Sequence, residues 1–267
     1  MKRKTLSAVL FTALAVSLTA CSATGGSSES GVDDSLTSVQ ESGVLTVGTE
    51  GTYRPFSFHE DGSGDLIGYD VEVAEAVAAE LGVDAQFEET QWDGIFAGLT
   101  SDRFDVIANQ VSMTPERIEA YDFSTPYTVS NGVLVVPADN TTISSFESLA
   151  GKTTAQSLTS NWNTLATESG ATVEGVEGWA QSVALVEQGR VDATVNDKLT
   201  FLDYQKNNDA SGLKVAAETT EKSHSAFALV KGSTALTTAI DEALATLAAD
   251  GTLASISDTY FGADVSK

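Results

Sequence analysis

The sequence predicts an α/β protein built from two similar lobes. From Val44 onward, short apolar runs alternate with segments of helical periodicity, which is the pattern of α/β proteins. A length of 267 residues corresponds to about two domains of ordinary size. A helix, turn and strand pattern that occurs in both halves of the chain indicates that the two lobes resemble each other.

The first segment, residues 1–20, is predicted to be a lipoprotein signal peptide. Basic residues at positions 2–4 precede an apolar run at 6–18, which is too short to cross about 30 Å of hydrocarbon comfortably. The run ends in LTAC, and this end resembles the lipobox of bacterial lipoproteins, in which the cysteine is lipidated. We therefore expect secretion across the cytoplasmic membrane and a lipid anchor on its outer face through Cys21; an ordinary signal peptide with a chance cysteine is the alternative.

Residues 21–35 are predicted to form a flexible tether. Positions 22–35 contain five serines and three glycines. Such a composition cannot bury a core, and a chain of this length spans roughly 20 Å root-mean-square.

Three apolar patterns predict core elements to which we assign no function. Residues 44–47 (VLTV) predict a buried strand. Residues 69–81 predict a helix with one apolar face, ended by Gly82. The apolar stripe along residues 236–247 predicts a further helix, ended at Gly251.

An internal repeat predicts where the ligand site lies. Trp92 stands 11 positions before residues 103–110 (RFDVIANQ), and Trp179 stands 11 positions before residues 190–197 (RVDATVND). Each copy predicts a helix, a tight turn, a buried strand and a polar pair at the strand's end. Ligands of open α/β sheets bind at the carboxyl ends of strands, so two such edges predict a cleft between the lobes. The alternative is that two βαβ units, which commonly end in this way, resemble each other by chance.

Composition excludes several classes of function. The chain carries 38 acidic and 14 basic residues, a net charge of −24, which argues against nucleic acid or anionic lipid as a partner. One cysteine rules out a disulfide framework and a thiolate zinc site, and two histidines argue against a multi-histidine metal centre. We expect no metal and no cofactor.

Several motifs, in order along the chain, resemble those of the amino-acid-binding solute receptors of ABC importers. They lie at residues 48–56 (GTEGTYRPF), 68–74 (GYDVEVA), 113–117 (MTPER), 121–127 (YDFSTPY), 189–193 (GRVDA), 250–252 (DGT) and 260–261 (YF). The resemblance covers nearly everything after residue 40.

The resemblance implies a type II periplasmic-binding-protein fold with two crossing hinge strands. Lobe one would comprise residues 36–130 plus 225–267, and lobe two residues 131–224. Such receptors close around their ligand by hinge motion. The implied function is high-affinity binding of a polar amino acid by a monomer outside the cytoplasm and its delivery to an ABC transporter permease.

The resemblance also implies how the amino-acid head group is held. Burying a carboxylate and an ammonium requires a cationic donor for the first and an acidic acceptor for the second. Arg117 matches the carboxylate-binding arginine, Ser112 and Thr159 match hydroxyl contacts, and Asp197 matches the ammonium-binding aspartate. Ser160 lies at a predicted helix start, which suits an anion, although a plain N-cap is the alternative. A surface arginine paired with Glu116 or Glu119 is the alternative for Arg117, and a solvated side chain is the alternative for Asp197.

The ligand's own side chain is assigned to a second group of residues. Tyr53 and Trp92 match two positions that sandwich it in relatives, although Trp92 could also be core. Glu50 stands where an acid can hold a distal cation. Asn109 and Gln110, with residues 155–161 (AQSLTSN), look most like the cystine-binding branch. Cystine has a second zwitterionic end, for which amide groups make physical sense.

Two other classes of function stay open at this point. A few relatives of this fold are dehydratases of aromatic amino-acid precursors, of the arogenate or prephenate type, and others are sensor lobes of signalling systems. The sequence contains no nucleophile and base constellation, which argues against an enzyme.

Overall fold

A computed structural model describes residues 33–267. The predicted signal peptide, Cys21 and the tether up to residue 32 lie outside the described residues. The helices are α1 (Ser35–Ser42), α2 (Tyr69–Leu81), α3 (Trp92–Thr100), α4 (Pro115–Ala120), α5 (Asn161–Glu168), α6 (Trp179–Glu187), α7 (Lys198–Asn207), α8 (Thr234–Asp250) and α9 (Thr252–Phe261). The strands are β1 (Val44–Thr49), β2 (Thr52–Tyr53), β3 (Ser57–His59), β4 (Leu66–Ile67), β5 (Asp84–Glu89), β6 (Val106–Ile107), β7 (Tyr121–Phe123), β8 (Thr128–Pro137), β9 (Thr153–Gln156), β10 (Thr172–Gly175), β11 (Thr194–Asp197), β12 (Leu213–Ser225) and β13 (Ala228–Val230).

The first lobe is built on a five-stranded sheet of order β5-β1-β6-β13-β7. Strand β1 lies parallel to β5 and β6, and β13 lies antiparallel to β6 and β7. Helices α2 and α8 cover this sheet, and Val77 and Ile240 pack in one buried cluster with Leu45 and Val47 of β1. The predicted helix begins and ends at the expected residues, because Gly82 has the left-handed φ of 77° that ends it.

The second lobe is built on an antiparallel sheet of order β11-β8-β12 and a parallel pair of β9 and β10. A parallel bridge between Thr154 and Ala193 joins β9 to the chain entering β11. The carboxyl ends of β9 and β11 therefore lie side by side. Leu134, Leu149 and Val195 are fully or almost fully buried in its core.

Strands β8 and β12 are the two strands that connect the lobes. They run antiparallel from the pair Thr128 and Ser225 to the pair Pro137 and Leu213. Along the chain, β8 follows β7 of the first sheet and leads into the second lobe. Strand β12 leads back to β13 of the first sheet. The predicted two-lobed α/β fold with two hinge strands is confirmed, whereas the residue limits assigned to the lobes stay a prediction.

The two copies of the internal repeat adopt the same structure, one in each lobe. Trp92 and Trp179 are the first residues of α3 and α6, and the buried strands β6 and β11 follow. The polar pairs stand where each strand ends. The repeat thus places one polar sheet edge in each lobe.

The folded part of the chain begins before the end of the predicted tether. Asp33 Oδ2 accepts a hydrogen bond from the Ala235 amide at 2.6 Å, and Ser35 Oγ accepts one from the Leu236 amide at 3.2 Å. Residues 33–35 are therefore fixed to the start of α8. Their side chains accept hydrogen bonds from amide groups of its first turn, which have no acceptor within the helix. Within residues 33–267, no helix combines the length and the apolar character needed to cross a membrane.

Candidate functional site

A cavity lies between the two lobes, where the sheet edges face each other. It encloses about 540 Å³ of empty space, including its open mouth. Its first wall follows β1 and β6, and its second wall follows β9 and β11. The described residues that line it are Glu50, Thr52, Tyr53, Trp92, Asn109, Gln110, Gln156, Ser157, Ser160, Trp162, Gly178, Trp179, Ser182, Val195 and Asn196. We call it the interlobe cavity.

Asn109 organises the first wall. Its Oδ1 accepts hydrogen bonds from the Glu50 amide at 2.9 Å and from Thr49 Oγ1 at 3.0 Å, while its Nδ2 donates to Glu50 Oε2 at 2.5 Å. Because β1 and β6 are parallel neighbours, their carboxyl ends bring residues 60 positions apart into this contact. Asn109 thereby fixes the Glu50 carboxyl group at the cavity.

Glu50 is the one carboxyl group among the described lining residues. Burial raises the pKa of Glu50 to about 7, against the hydrogen bond from Asn109, which lowers it, and with a further increase from the negative charge of Asp93. A positively charged ligand group would stabilise the ionised Glu50 carboxyl group, because its charge compensates for the water that the carboxylate loses on burial.

Tyr53 and Trp92 both line the cavity from the first lobe. Trp92 also packs in the cluster of Ile95 and Leu99, so it is at once a core residue and a lining residue of the cavity. Trp179 lines the opposite wall, and each of the two tryptophans is 8% exposed. The cavity therefore has an indole at the start of a helix on each side.

Gln156 and Ser160 are polar residues of the second wall of the cavity. Gln156 ends β9, and Ser160 is the N-cap of α5, with its Oγ accepting a hydrogen bond from the Asn163 amide at 3.0 Å. Ser160 both caps the helix and lines the cavity, so the two readings of this residue are compatible.

Arg117 lies beside the cavity and is not among the described lining residues. Its guanidinium carbon is 5.1 Å from the centre of the Trp92 ring and 5.3 Å from that of Phe96. Its Nη1 donates to the Ser112 carbonyl at 3.1 Å and its Nη2 to the Thr159 carbonyl at 3.3 Å. Burial lowers the pKa of Arg117 to about 10, so the guanidinium stays charged at neutral pH.

Thr159 is engaged by the first lobe. Its amide and its Oγ1 both donate to Asp93 Oδ1, at 3.1 and 2.7 Å. Gln91 donates to Glu177 Oε1 at 2.7 Å beside this contact. The two lobes are therefore in direct contact at the mouth of the cavity, which is the closed arrangement.

Asp197 is buried at the end of β11, where it is the N-cap of α7. Its Oδ1 accepts hydrogen bonds from the Leu199 amide at 2.8 Å and from Ser130 Oγ at 2.7 Å. Burial raises the pKa of Asp197 to about 6, while these two hydrogen bonds lower it. Ser112 is likewise buried, with its Oγ accepting from Ser223 Oγ at 2.9 Å.

The structure thus divides the ten predicted ligand-binding residues into two groups. Six of them line the cavity, namely Glu50, Tyr53, Trp92, Asn109, Gln110 and Ser160. The other four surround it without lining it, namely Ser112, Arg117, Thr159 and Asp197. All ten assignments as ligand contacts stay predictions.

Sequence reasoning assigned no site role to several lining residues of the second lobe. Trp179 could have been found from the internal repeat, because it is the counterpart of Trp92. Asn196 belongs to the polar pair that ends the second copy of the repeat, and Gln156 to the stretch 155–161, so the sequence pointed to both regions without assigning either residue a contact. Trp162 and Ser182 gave no local signal, since each lies inside a helix and neither stands at the end of a strand.

The chain superposes better on a liganded relative than on an open one. The chain is 46% identical to the unliganded, open L-cystine solute receptor of Neisseria gonorrhoeae, with a TM-score of 0.58 over 87% of this chain and 98% of that one. It is only 35% identical to an ancestral arginine-binding protein bound to arginine, yet the TM-score is 0.77 over 82% of this chain and 99% of that one. The better superposition on the less similar, liganded protein agrees with the interlobe contacts.

The family of the chain follows from its sequence. The chain is 48% identical to the L-cystine-binding protein TcyA of Bacillus subtilis over 99% of this chain and 100% of that protein. Residues 45–263 match the family model of bacterial extracellular solute-binding proteins, family 3. These matches support a binding protein and not the dehydratase alternative. The chain therefore belongs to family 3 of the bacterial extracellular solute-binding proteins.

Proposed function

We propose that this protein binds L-cystine between its two lobes and delivers it to the membrane permease of an ABC importer. The observation that carries this proposal is the 48% identity, over essentially the full length of both chains, to a protein named for L-cystine binding. At that level of identity we expect the two proteins to share the lobes, the hinge and the cleft. We therefore infer the ligand of this protein from the ligand for which the relative is named.

The lining of the cavity supports a ligand with more than one polar end. Glu50 offers a place for a distal ammonium, and the amides of Gln110, Gln156 and Asn196 offer both donors and acceptors without a net charge. Tyr53, Trp92 and Trp179 supply flat apolar surface, which suits the disulfide-bridged middle of cystine.

The head group of the amino acid is proposed to bind Arg117 and Asp197 from opposite lobes. Arg117 is half-buried next to Trp92 on the first lobe, and Asp197 is buried at the end of β11 on the second. A ligand that pairs with both would hold the lobes together, which couples binding to closure.

The location outside the cytoplasm follows from membership of an extracellular family. The lipid anchor at Cys21, the tether that follows it and the monomeric state are part of our proposal. They rest on the LTAC sequence, on the composition of residues 22–32 and on the resemblance described above.

A thermal-shift screen of the purified protein against the common amino acids and L-cystine tests the ligand. A ligand present at 100 times its dissociation constant should raise the free energy of unfolding by about 2.7 kcal/mol. We expect the largest shift with cystine. A larger shift with arginine or lysine would transfer the proposal to a basic amino acid, and no shift with any of them would contradict amino-acid binding.

A further inference from the structure

Gln110 is held in an unusual backbone conformation by a residue of another element. It follows β6 with a φ of 51°, in the left-handed region that residues other than glycine seldom adopt. Asp70, in the first turn of α2, accepts the Gln110 amide through Oδ2 at 2.8 Å and Gln110 Nε2 through Oδ1 at 2.6 Å. One carboxyl group thus fixes both the backbone and the side chain of Gln110.

These contacts determine which end of the Gln110 amide is left free. An ionised carboxyl group only accepts hydrogen bonds, so the NH₂ group of Gln110 must face Asp70. The second proton of that group is taken by Thr128 Oγ1 at 3.0 Å. The remaining atom, Oε1, is buried and has no hydrogen-bond partner in the described part of the protein.

Unpaired polar atoms concentrate at the interlobe cavity. Among residues 33–267, five buried side-chain nitrogen or oxygen atoms lack a partner, and three of them belong to lining residues. Gln110 Oε1 is an acceptor, whereas Trp92 Nε1 and Gln156 Nε2 are donors. Buried polar groups are normally satisfied, so a set of unpaired groups around one cavity indicates that a ligand supplies the partners.

We propose that Asp70 is a positioning residue that orients the Gln110 amide so that Oε1 accepts a hydrogen bond from an ammonium group of the ligand. This inference rests on the proposed function and deepens it. Asp70 is fully buried and is not among the described residues that line the cavity, so it acts only through Gln110. The donors Trp92 Nε1 and Gln156 Nε2 would serve the ligand's acceptor atoms.

A double-mutant cycle with Asp70→Asn and Gln110→Met tests this role. The measurement is calorimetric titration of L-cystine at pH 8, where the Asp70 carboxyl, whose pKa burial raises to about 7, is ionised. An asparagine at position 70 can donate to Gln110 Oε1 and thereby turn the NH₂ group toward the ligand's ammonium. We expect each single variant to bind about 10- to 100-fold more weakly, the loss typical of one hydrogen bond to a charged group.

The double variant separates positioning from a general structural role. If Asp70 acts through Gln110, then Asp70→Asn should change the dissociation constant by less than threefold in the Gln110→Met background. Equal losses in both backgrounds, or a dissociation constant of Asp70→Asn within threefold of the wild type, would overturn the proposal.

Two further measurements cover the remaining outcomes. If Asp70→Asn does not fold, the side-chain amide protons of Gln110 in the free wild-type protein should be protected from hydrogen exchange, and rapid exchange would refute the role of Asp70. If the wild type binds another amino acid instead of cystine, the same cycle with that ligand decides the proposal independently. If no amino acid binds, this proposal falls together with the proposed function.

Discussion

The Tyr53 hydroxyl donates a hydrogen bond to Asn196 Oδ1 at 2.9 Å and so joins the two walls of the interlobe cavity. The same hydroxyl accepts a hydrogen bond from Thr200 Oγ1 at 3.1 Å. Burial raises the pKa of Tyr53 well above its ordinary value, with a further increase from the charge of Asp197. The hydroxyl therefore stays protonated, and the bond that it donates links the two lobes in this closed arrangement.

Arg117→Ala should weaken amino-acid binding strongly. The half-buried guanidinium is the cation we assign to the ligand's carboxylate, and removing one side of a charge pair that ligand binding buries costs about 2–5 kcal/mol. This corresponds to roughly 30- to 5000-fold weaker binding by calorimetric titration. Asp197→Asn keeps the shape of its side chain and should weaken binding less, by about one to two decades.

Arg190→Ala is the matched control for Arg117→Ala. Its side chain is 61% exposed, and its Nη2 lies 3.8 Å from Glu174 Oε1, an arrangement that contributes little to stability. We expect no change in affinity beyond threefold. If Arg117→Ala behaves like Arg190→Ala, the assignment of the head-group site is wrong.

Asp93→Ala should speed ligand release by destabilising the closed state. It removes both hydrogen bonds that Thr159 donates to the first lobe through its amide and its Oγ1. Each such bond is worth about 0.5–1.5 kcal/mol, so the dissociation rate should rise about 5- to 150-fold in stopped-flow measurements. Glu80→Ala, on the exposed side of α2, is the control and should leave the rate unchanged. An unchanged rate in Asp93→Ala would show that this contact does not hold the lobes closed.

Affinity should depend on pH through Glu50. Its pKa in the free protein is raised from 4.5 to about 7, so its contribution to the free energy of unfolding is present below about pH 4.5 and is lost as the pH rises through 7. A cationic ligand group favours the ionised form, so binding should release a proton and weaken by up to about tenfold per pH unit below pH 7.

Glu50→Gln is the control for this pH dependence, measured by titration at pH 5.5 and 7.5. It should flatten the dependence without abolishing it, because burial also raises the pKa of Asp197, to about 6. A variant whose affinity varies with pH as steeply as the wild type would show that Glu50 does not meet a ligand cation.

The sequence could predict elements whose signals are local. Helix α2 was predicted to the residue because its apolar face and Gly82 lie within one short stretch. The edge of the first sheet was predicted because Asn109 follows a buried strand, and parallel pairing of β1 with β6 then brings it to Glu50. Local pattern and strand order were enough for these features.

Contacts between the lobes could not be predicted in this way. Thr159 is engaged by Asp93, which lies 66 positions earlier, and Tyr53 contacts Asn196 across 143 positions. Such pairs depend on the angle at which the hinge strands bring the lobes together, and no local pattern encodes that angle. For the same reason the sequence could not show that Arg117 lies beside the cavity and not in its lining.

Cys21→Ser should release the protein from the membrane or leave its precursor uncleaved. The cysteine is the only one in the chain, so no other thiol could accept the lipid. Fractionation of cells followed by detection of the protein in membrane and medium measures the outcome. Unchanged membrane retention together with normal processing would contradict the anchor.

Calorimetric titration of L-cystine into the wild type and two glycine variants tests the central claim most directly. At Gly178, an added Cβ would lie 3.7 Å from Glu50 Oε1 on the cavity wall and would meet no backbone atom within 4 Å, so Gly178→Val places its methyl groups beside the space for a ligand. At Gly212 an added Cβ meets nothing within 4 Å, which makes Gly212→Val the matched control. We predict one cystine site in the wild type and in Gly212→Val, and binding at least tenfold weaker in folded Gly178→Val. Equal binding by all three proteins, or no binding by the folded wild type, would contradict a cystine site in the interlobe cavity.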